Sequence, residues 1–310
     1  MDLPSGTWAL ILGGSSGMGL AAADKLARHG MNCCIVHRDR RGAMPAIEKS
    51  FDRLRSRGVR VLTHNTDALS DEGRAGVLDS LEKELAGEGR VRLLLHSIAL
   101  GNLKLLAPDK GASAGHQRSD SLAQALGLSP ERVAEAVEQC FAEGTEALHA
   151  LAAPPRYPER ILSREDFAHT VHAMGTSLFD WVAEIQDRRL FYPDARVLAL
   201  TSEGNAIAWR GYAAVSAAKA ALESLCRSIA VEFAPYGIRA NVIQAGVTLT
   251  PALAAIPGNR QIAARAALRN PMGRLTRPED VADAVYLLCR DEAAWINGAL
   301  LCVDGGERIT

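Results

Sequence analysis

The seven residues Gly13-Gly-Ser-Ser-Gly17-Met-Gly19 constrain this chain more than any other stretch of it. Before them stands an apolar run, Trp8 to Leu12, that reads as a buried strand; after them Gly17 to His29 carries small and apolar residues at helical spacing until Gly30 ends it. A strand that turns within a few residues into a helix needs backbone without side chains, and glycine both permits the tight turn and leaves the first helical N–H groups open to negative charge. The pattern then repeats. Cys33 to Val36 reads as a second strand, Ala43 to Arg57 as a helix closed by Gly58, and Val59 to Thr63 as a third strand. Asp71 to Leu85 reads as a helix stopped at Gly87-Glu88-Gly89, and Arg92 to Ile98 as a fourth strand. Further on, Arg196 to Thr201, Ile238 to Ile243 and Ala299 to Val303 read as strands, with helices at Tyr212 to Phe233 and Pro278 to Cys289. Strands alternating with helices imply right-handed crossovers and a parallel sheet covered on both faces, the α/β class.

Composition narrows the function. The chain has 310 residues with 35 Lys and Arg against 36 Asp and Glu, and a net charge of -1 gives no field to hold nucleic acid. With 48% hydrophobic and 23% charged residues it is neither disordered nor fibrous. Met1 to Gly6 has no basic region and the following apolar run stops after five residues, so neither a signal peptide nor a membrane span is expected, and the expected location is the cytoplasm. Six cysteines form no CxxC pair, and Cys33 and Cys34 should point to opposite faces of one strand as buried free thiols. His169 and His172 share a helix face without a third ligand, so no metal is expected.

The alternation breaks between Gly101 and Ser163. Pro108 to Gly115 reads as a loop, Ser129-Pro130-Glu131 as a helix start, and Val133 to Leu151 as an amphipathic helix ended by Pro154-Pro155; the next core helix starts near Ser163-Arg-Glu-Asp166. The expectation is one domain, 1–310, with a helical insertion at about 101–163 after the fourth strand. It is either a passive surface decoration or, since it leaves the carboxyl end of a strand, part of a ligand site.

The glycine turn in this βα context reads as a dinucleotide site on a Rossmann-type, doubly wound sheet. Its spacing, G-x3-G-x-G, resembles the short-chain dehydrogenase/reductase superfamily, and Gly13, Ser15, Ser16, Gly17, Met18 and Gly19 are then the expected phosphate cradle. At the ribose-selecting end of the second strand stand His37 and Arg38, with Arg40 and Arg41 behind and no carboxylate at the selecting position. NADPH rather than NADH is expected, with Arg38 the main ligand of the 2′-phosphate and His37 a lesser one; the alternative is that these residues merely start a solvated helix. By resemblance Asp67, with Ala68, is an adenine contact, and Leu12 replaces the usual Thr before the turn.

Tyr212-Ala-Ala-Val-Ser-Ala-Ala-Lys219 carries the most chemistry. Common short-chain reductases have Tyr four residues before the Lys, where this chain has Val215. Tyr-x6-Lys resembles the divergent enoyl-[acyl-carrier-protein] reductases of fatty acid biosynthesis. Two further segments are similar to that branch: Leu95-His-Ser-Ile-Ala99, with Ser97, Ile98 and Ala99 facing the cofactor, and Gln244-Ala-Gly-Val-Thr-Leu-Thr250, whose Gly246, Val247, Thr248 and Thr250 form the nicotinamide loop. Hydride delivered to the β-carbon of an enoyl thioester places charge on an oxygen three bonds away rather than one, so the stabilising hydroxyl must sit about 2 to 3 Å further off. Three residues along a helix is about 4.5 Å, the right scale.

The resemblance implies that Tyr212 stabilises the enolate and that Lys219 holds the nicotinamide ribose and lowers the Tyr212 pKa. Ser202, ten residues before Tyr212 and seventeen before Lys219, supports either an enoyl reductase or a carbonyl reductase acting on a β-ketoacyl thioester or another ketone. A catalytically silent NADP-binding sensor is the third reading. His172 stands where common members have a proton-relay Asn; a relay, a contact to carrier phosphate and a packed core residue are its three readings. Pro251 to Asn270 resembles a mobile substrate-binding helix pair, whose Arg260, Arg265 and Arg269 face an acyl carrier protein or solvent. A homotetramer or homodimer, and an acyl thioester as partner, are implied likewise.

Overall fold

A computed structural model describes residues 3, 6–87, 89–109 and 113–310. Met1, Asp2, Pro4 and Ser5, Glu88 of the expected helix stop, and Lys110, Gly111 and Ala112 of the expected loop lie outside the described residues. Seven strands, β1 (Thr7–Leu12), β2 (Asn32–His37), β3 (Val61–Asn65), β4 (Arg90–His96), β5 (Phe191–Ser202), β6 (Arg239–Ala245) and β7 (Leu300–Val303), form one sheet in the order β3-β2-β1-β4-β5-β6-β7. All six pairings are parallel. The order reverses between β1 and β4, which leaves a crevice at their carboxyl ends.

Both faces are covered. Trp8, Leu10 and Leu12 of β1 pack with α3 (Asp71–Leu85), α7 (Ser177–Asp187) and α8 (Ala213–Glu232), while Ala9 and Ile11 pack with α1 (Gly17–Arg28), α2 (Met44–Arg55) and α11 (Pro278–Cys289). The two-residue period of a strand sends Cys34 to the first layer and Cys33 to the second, both fully buried; burial pushes the Cys33 thiol up to about 12. At the amino ends of the strands, Arg92, Arg196 and Arg239, from three neighbouring strands, converge on Asp194. No helix among the described residues is long and apolar enough to cross a membrane.

Between β4 and α6 (Arg164–Val171) lie α4 (Ser113–Leu126) and α5 (Pro130–Ala142). The helix α4 begins inside the stretch expected to be a loop. The expected helix to Leu151 ends instead at Ala142, because Gly144 takes φ +100, and a short 3-10 turn follows at Glu146–Ala150. Ser163 caps α6 as expected, accepting from the Asp166 N–H. α6 runs into α7 through a π turn, His172–Thr176, that lies against α8: a Cβ at Gly175 would meet the Ala218 carbonyl oxygen at 2.7 Å.

Candidate active site

Two cavities lie side by side at the carboxyl ends of the strands. The first, about 400 Å³, is lined by Gly13, Ser15, Ser16, Gly17 and Met18 from the turn, His37 and Arg38 beyond β2, and Asp67 and Ala68 beyond β3. Ser97, Ile98 and Ala99 beyond β4, with Thr250, complete it. Gly13 has φ +82, and a Cβ there would come within 2.6 Å of the Ser97 carbonyl oxygen. Gly19 lines neither of these two cavities; a Cβ on it would collide with the Gly13 carbonyl, so its part is to close the turn. Ser16 is the N-cap of α1 but makes no side-chain cap bond, and the first turn holds no acidic residue. The helix therefore presents uncapped N–H groups and its positive dipole end to the cleft, which fits a dinucleotide pyrophosphate.

Past β2 the geometry divides the two basic residues. Arg38 is exposed and donates to Asp67 at 2.7 Å, so the expected phosphate ligand and the expected adenine contact are partners of each other. The His37 imidazole is only 2% exposed and its Nδ1 meets the Asp39 carboxylate at 2.9 Å. His37, the lesser of the two expected phosphate ligands, lines the cleft as well, with its ring buried against Asp39 while the Arg38 guanidinium is exposed.

The second cavity, about 460 Å³, contains Ser202, Tyr212, Gly246, Val247, Thr248 and Thr250 among its lining residues. Met18, Thr250 and Ala252 line both cavities. Tyr212 is the N-cap residue of α8, set by the left-handed Gly211 (φ +74) before it, and Ser202 is the last residue of β5. Their hydroxyl oxygens are 3.4 Å apart. Gly204 makes room for the ring, since a Cβ there would lie 2.5 Å from Tyr212 Cε1.

Lys219 lies two turns along α8, buried, and lines neither cavity; its Nζ donates to the Met174 carbonyl of the π turn at 3.5 Å. Burial lowers its pKa to about 8, against the pull of Glu223 one turn further on. Glu223 in turn accepts from Thr201 Oγ1 at 2.6 Å and from Asn205. Burial raises the Tyr212 phenol above its ordinary value, with the Ser202 hydrogen bond acting the other way. The expected lowering of Tyr212 by Lys219 is not seen: burial dominates, the Ser202 hydrogen bond alone opposes it, and the phenol is held as a proton-bearing donor.

Sequence reading missed the Glu223 brace, though its i+4 spacing from Lys219 was visible, and missed the Met174 carbonyl, which only the π turn exposes. His172, one of whose readings was a packed core residue, is 42% exposed in its side chain and sits 3.9 Å from Asp180. His96 is the buried one: its Nε2 meets Ser177 Oγ at 3.0 Å, and burial, then the Lys219 charge, lower its pKa to about 3. Of the three arginines expected to face a carrier, Arg269 is committed to Glu203 and Glu307, and Arg260 stacks 4.6 Å from the Phe141 ring centre. Arg265 makes no ion pair among the described residues. No group of three metal-ligating side chains occurs among the described residues.

A family model described as Enoyl-(Acyl carrier protein) reductase matches residues 128–307, and one described as KR domain matches residues 7–107. The chain is 30% identical over 247 residues to a tropinone reductase homolog of Arabidopsis thaliana, covering 76% of this chain and 88% of that one. It is 37% identical over 120 residues to a 1-cyclohexenylcarbonyl-CoA reductase of Streptomyces collinus, 37% of this chain and 41% of that protein. The first curated relatives are matched over only 36% and 38% of their own lengths. Among solved structures, an enoyl-[acyl-carrier-protein] reductase (NADH) from Aquifex aeolicus superposes with a TM-score of 0.71 at 23% identity, over 99% of this chain and 98% of that one, a likeness of fold.

Proposed function

The chain belongs to the short-chain dehydrogenase/reductase superfamily, and on that premise we propose that it is an NADPH-dependent reductase of enoyl thioesters, with an acyl thioester on carrier protein or coenzyme A as substrate. Membership makes it an oxidoreductase that uses NAD(P). One observation carries the finer reading: Tyr212, seven residues before Lys219, opens on the cavity, whereas Val215, four before it, is buried against Ala173, Met174 and Ala218. The names of the Streptomyces relative and the Aquifex neighbour support the same class.

When bound, the dinucleotide supplies the hydride. Gly13 and Ser15 to Met18 would hold its phosphates, and Arg38 would hold the 2′-phosphate. Tyr212 donates a hydrogen bond to the thioester oxygen and gains strength as negative charge develops there. Ser202 orients the phenol at 3.4 Å. Lys219, anchored on the Met174 carbonyl and balanced by Glu223, keeps a positive charge beneath the site. A second reading, reduction of a ketone with Ser202 as a donor, is favoured by that same Ser202 to Tyr212 pairing.

NADPH consumption with crotonyl and acetoacetyl thioesters on one carrier separates the two. Turnover of the enoyl substrate alone is expected; preference for the ketone would mean that Ser202 outweighs the displaced tyrosine, and silence with both favours the sensor.

Two further outcomes follow from the geometry. Arg38→Ala should weaken NADPH by about ten-fold or more and leave NADH nearly unchanged; equal weakening of both would remove the 2′-phosphate role. Lys219 carries its charge below its pKa, so kcat/KM measured against NADPH should fall as pH rises through about 8. A profile flat to pH 10 would remove the ammonium from the site's chemistry.

A further inference from the structure

The segment between β4 and α6 has a small core of its own, and that core is completed by another part of the chain. Val133, Val137 and Phe141 of α5 pack with Ala152 and with Ala264 of α10 (Asn259–Arg269). Polar contacts repeat the connection. Gln261 donates to the Ala153 carbonyl at 2.8 Å, Ala153 N–H donates to Glu138 at 2.7 Å, and Arg260 lies over Phe141. A Cβ at Gly258 would come within 2.6 Å of Pro155.

At its other flank the segment grips the residues before Tyr212. Arg210 donates to Asp109 at 2.9 Å and lies 5.1 Å from the Tyr157 ring centre, and a Cβ at Gly211 would touch that ring at 3.0 Å. As a result His149, Pro155 and Tyr157 line the same cavity as Ser202 and Tyr212, opposite the sheet-borne residues of the wall.

That wall is mostly apolar, with Trp209, Leu253, Ile256 and Ile262, and of the Arg, Lys, Asp and Glu side chains in it one lacks an ionic partner among the described residues. The one carboxylate in it, Glu203, is held by Arg269 at 2.7 Å, and Arg210 is held by Asp109. Arg265, one turn from Gln261 on α10, has no ionic partner among the described residues. His149 Nδ1 lies 3.1 Å from the Glu146 carbonyl, a contact in which the ring must donate, so the neutral ring offers Nε2 as an acceptor and leaves an anion to Arg265.

We propose that this segment is the outer half of the reaction cavity and that Arg265 reads an oxyanion, carboxylate or phosphate, carried by the substrate at the end remote from the reacting carbon. The inference rests on the reading of this cavity as the reaction cavity. The apolar middle holds the body of the ligand while the charged rim fixes its direction, placing the reducible bond at Tyr212. A guanidinium with no competing carboxylate gives a charge-assisted bond at full strength.

The test is calorimetric binding to the full chain loaded with NADP+, so that no turnover is needed. In each of two probe pairs the members differ in the anionic group: cyclohexanecarboxylate against cyclohexylmethanol, and S-butyryl-4′-phosphopantetheine against S-butyryl-pantetheine. The anionic member of at least one pair is expected to bind about ten- to hundred-fold more tightly, and Arg265→Ala to abolish that difference while leaving the neutral member unchanged. Discrimination in the first pair alone assigns the oxyanion to the substrate itself, and in the second alone to the carrier's phosphates. Equal binding within both pairs, or equal loss of both members in Arg265→Ala, overturns the proposal. Crotonyl turnover is scored separately: its absence with discrimination intact removes the enoyl reading and leaves the anion site standing.

Discussion

Tyr212→Phe is expected to reduce enoyl thioester turnover about 100- to 1,000-fold, the scale of losing one donor to a developing oxyanion. NADPH affinity should change by no more than about two-fold. The phenol lines the substrate cavity and not the dinucleotide cleft, and the ring, wedged against Gly204, loses no packing when only the oxygen is removed. Ser202→Ala should cost less, because Ser202 acts through the phenol at 3.4 Å. Single-turnover rates with saturating NADPH, alongside fluorescence titration of the nucleotide, separate these effects. A Tyr212→Phe enzyme within about three-fold of wild-type turnover would sink the assignment, whatever happened to binding. Equal losses in Ser202→Ala with ketone substrates would favour the carbonyl reading.

Asp194→Ala is expected to destabilise the protein by about 2 to 4 kcal/mol, the lower part of the range for breaking a buried ion pair because its own side chain is 30% exposed. The side chains of Arg92 and Arg196 are each only 1% exposed and both rest on this carboxylate; without it two guanidinium groups are left in the sheet with carbonyl oxygens and, for Arg92, Asp291. Burial pushes Asp194 up, but the hydrogen bonds and charges of Arg196 and Arg92 outweigh it and hold the carboxyl below its ordinary value. A carboxylate lowered in the folded state adds stability that is present above about pH 4 and lost as pH falls through the folded value. Acid unfolding of the wild type should therefore be steeper than that of Asp194→Asn. Unfolding free energies from urea titration of Ala and wild type that agree within about 0.5 kcal/mol would show the cluster to be dispensable.

The sheet was readable because its signals are local. Apolar runs and glycine stops recur at the period of a βα unit, and Asp71 to Leu85 and Pro278 to Cys289 match the observed helices to the residue. The residues gathered in the two cavities were readable for a related reason: in a parallel sheet every strand ends on the same edge, so Ser97, Ser202 and Gly246 meet once strand order is known. Side-chain commitment was not readable. Nothing in Arg38 or Arg269 as letters says that one is paired to Asp67 and the other to Glu203 and Glu307, since those partners lie far along the chain. The break at Gly144 was missed because apolar spacing continues through it, and only the left-handed backbone there ends the helix.

Met18, Thr250 and Ala252 belong to the walls of both cavities. For the proposed reductase, such a shared partition predicts an order of addition in which the nucleotide enters first and finishes the floor on which the second ligand rests, and the reduced product leaves before the oxidised nucleotide. Initial-rate patterns should then be sequential, with product inhibition by NADP+ competitive against NADPH alone. For the proposed reductase, a dead-end complex with the oxidised nucleotide at high substrate is then the expected brake, and throughput should follow the ratio of reduced to oxidised nucleotide more closely than the supply of the second ligand.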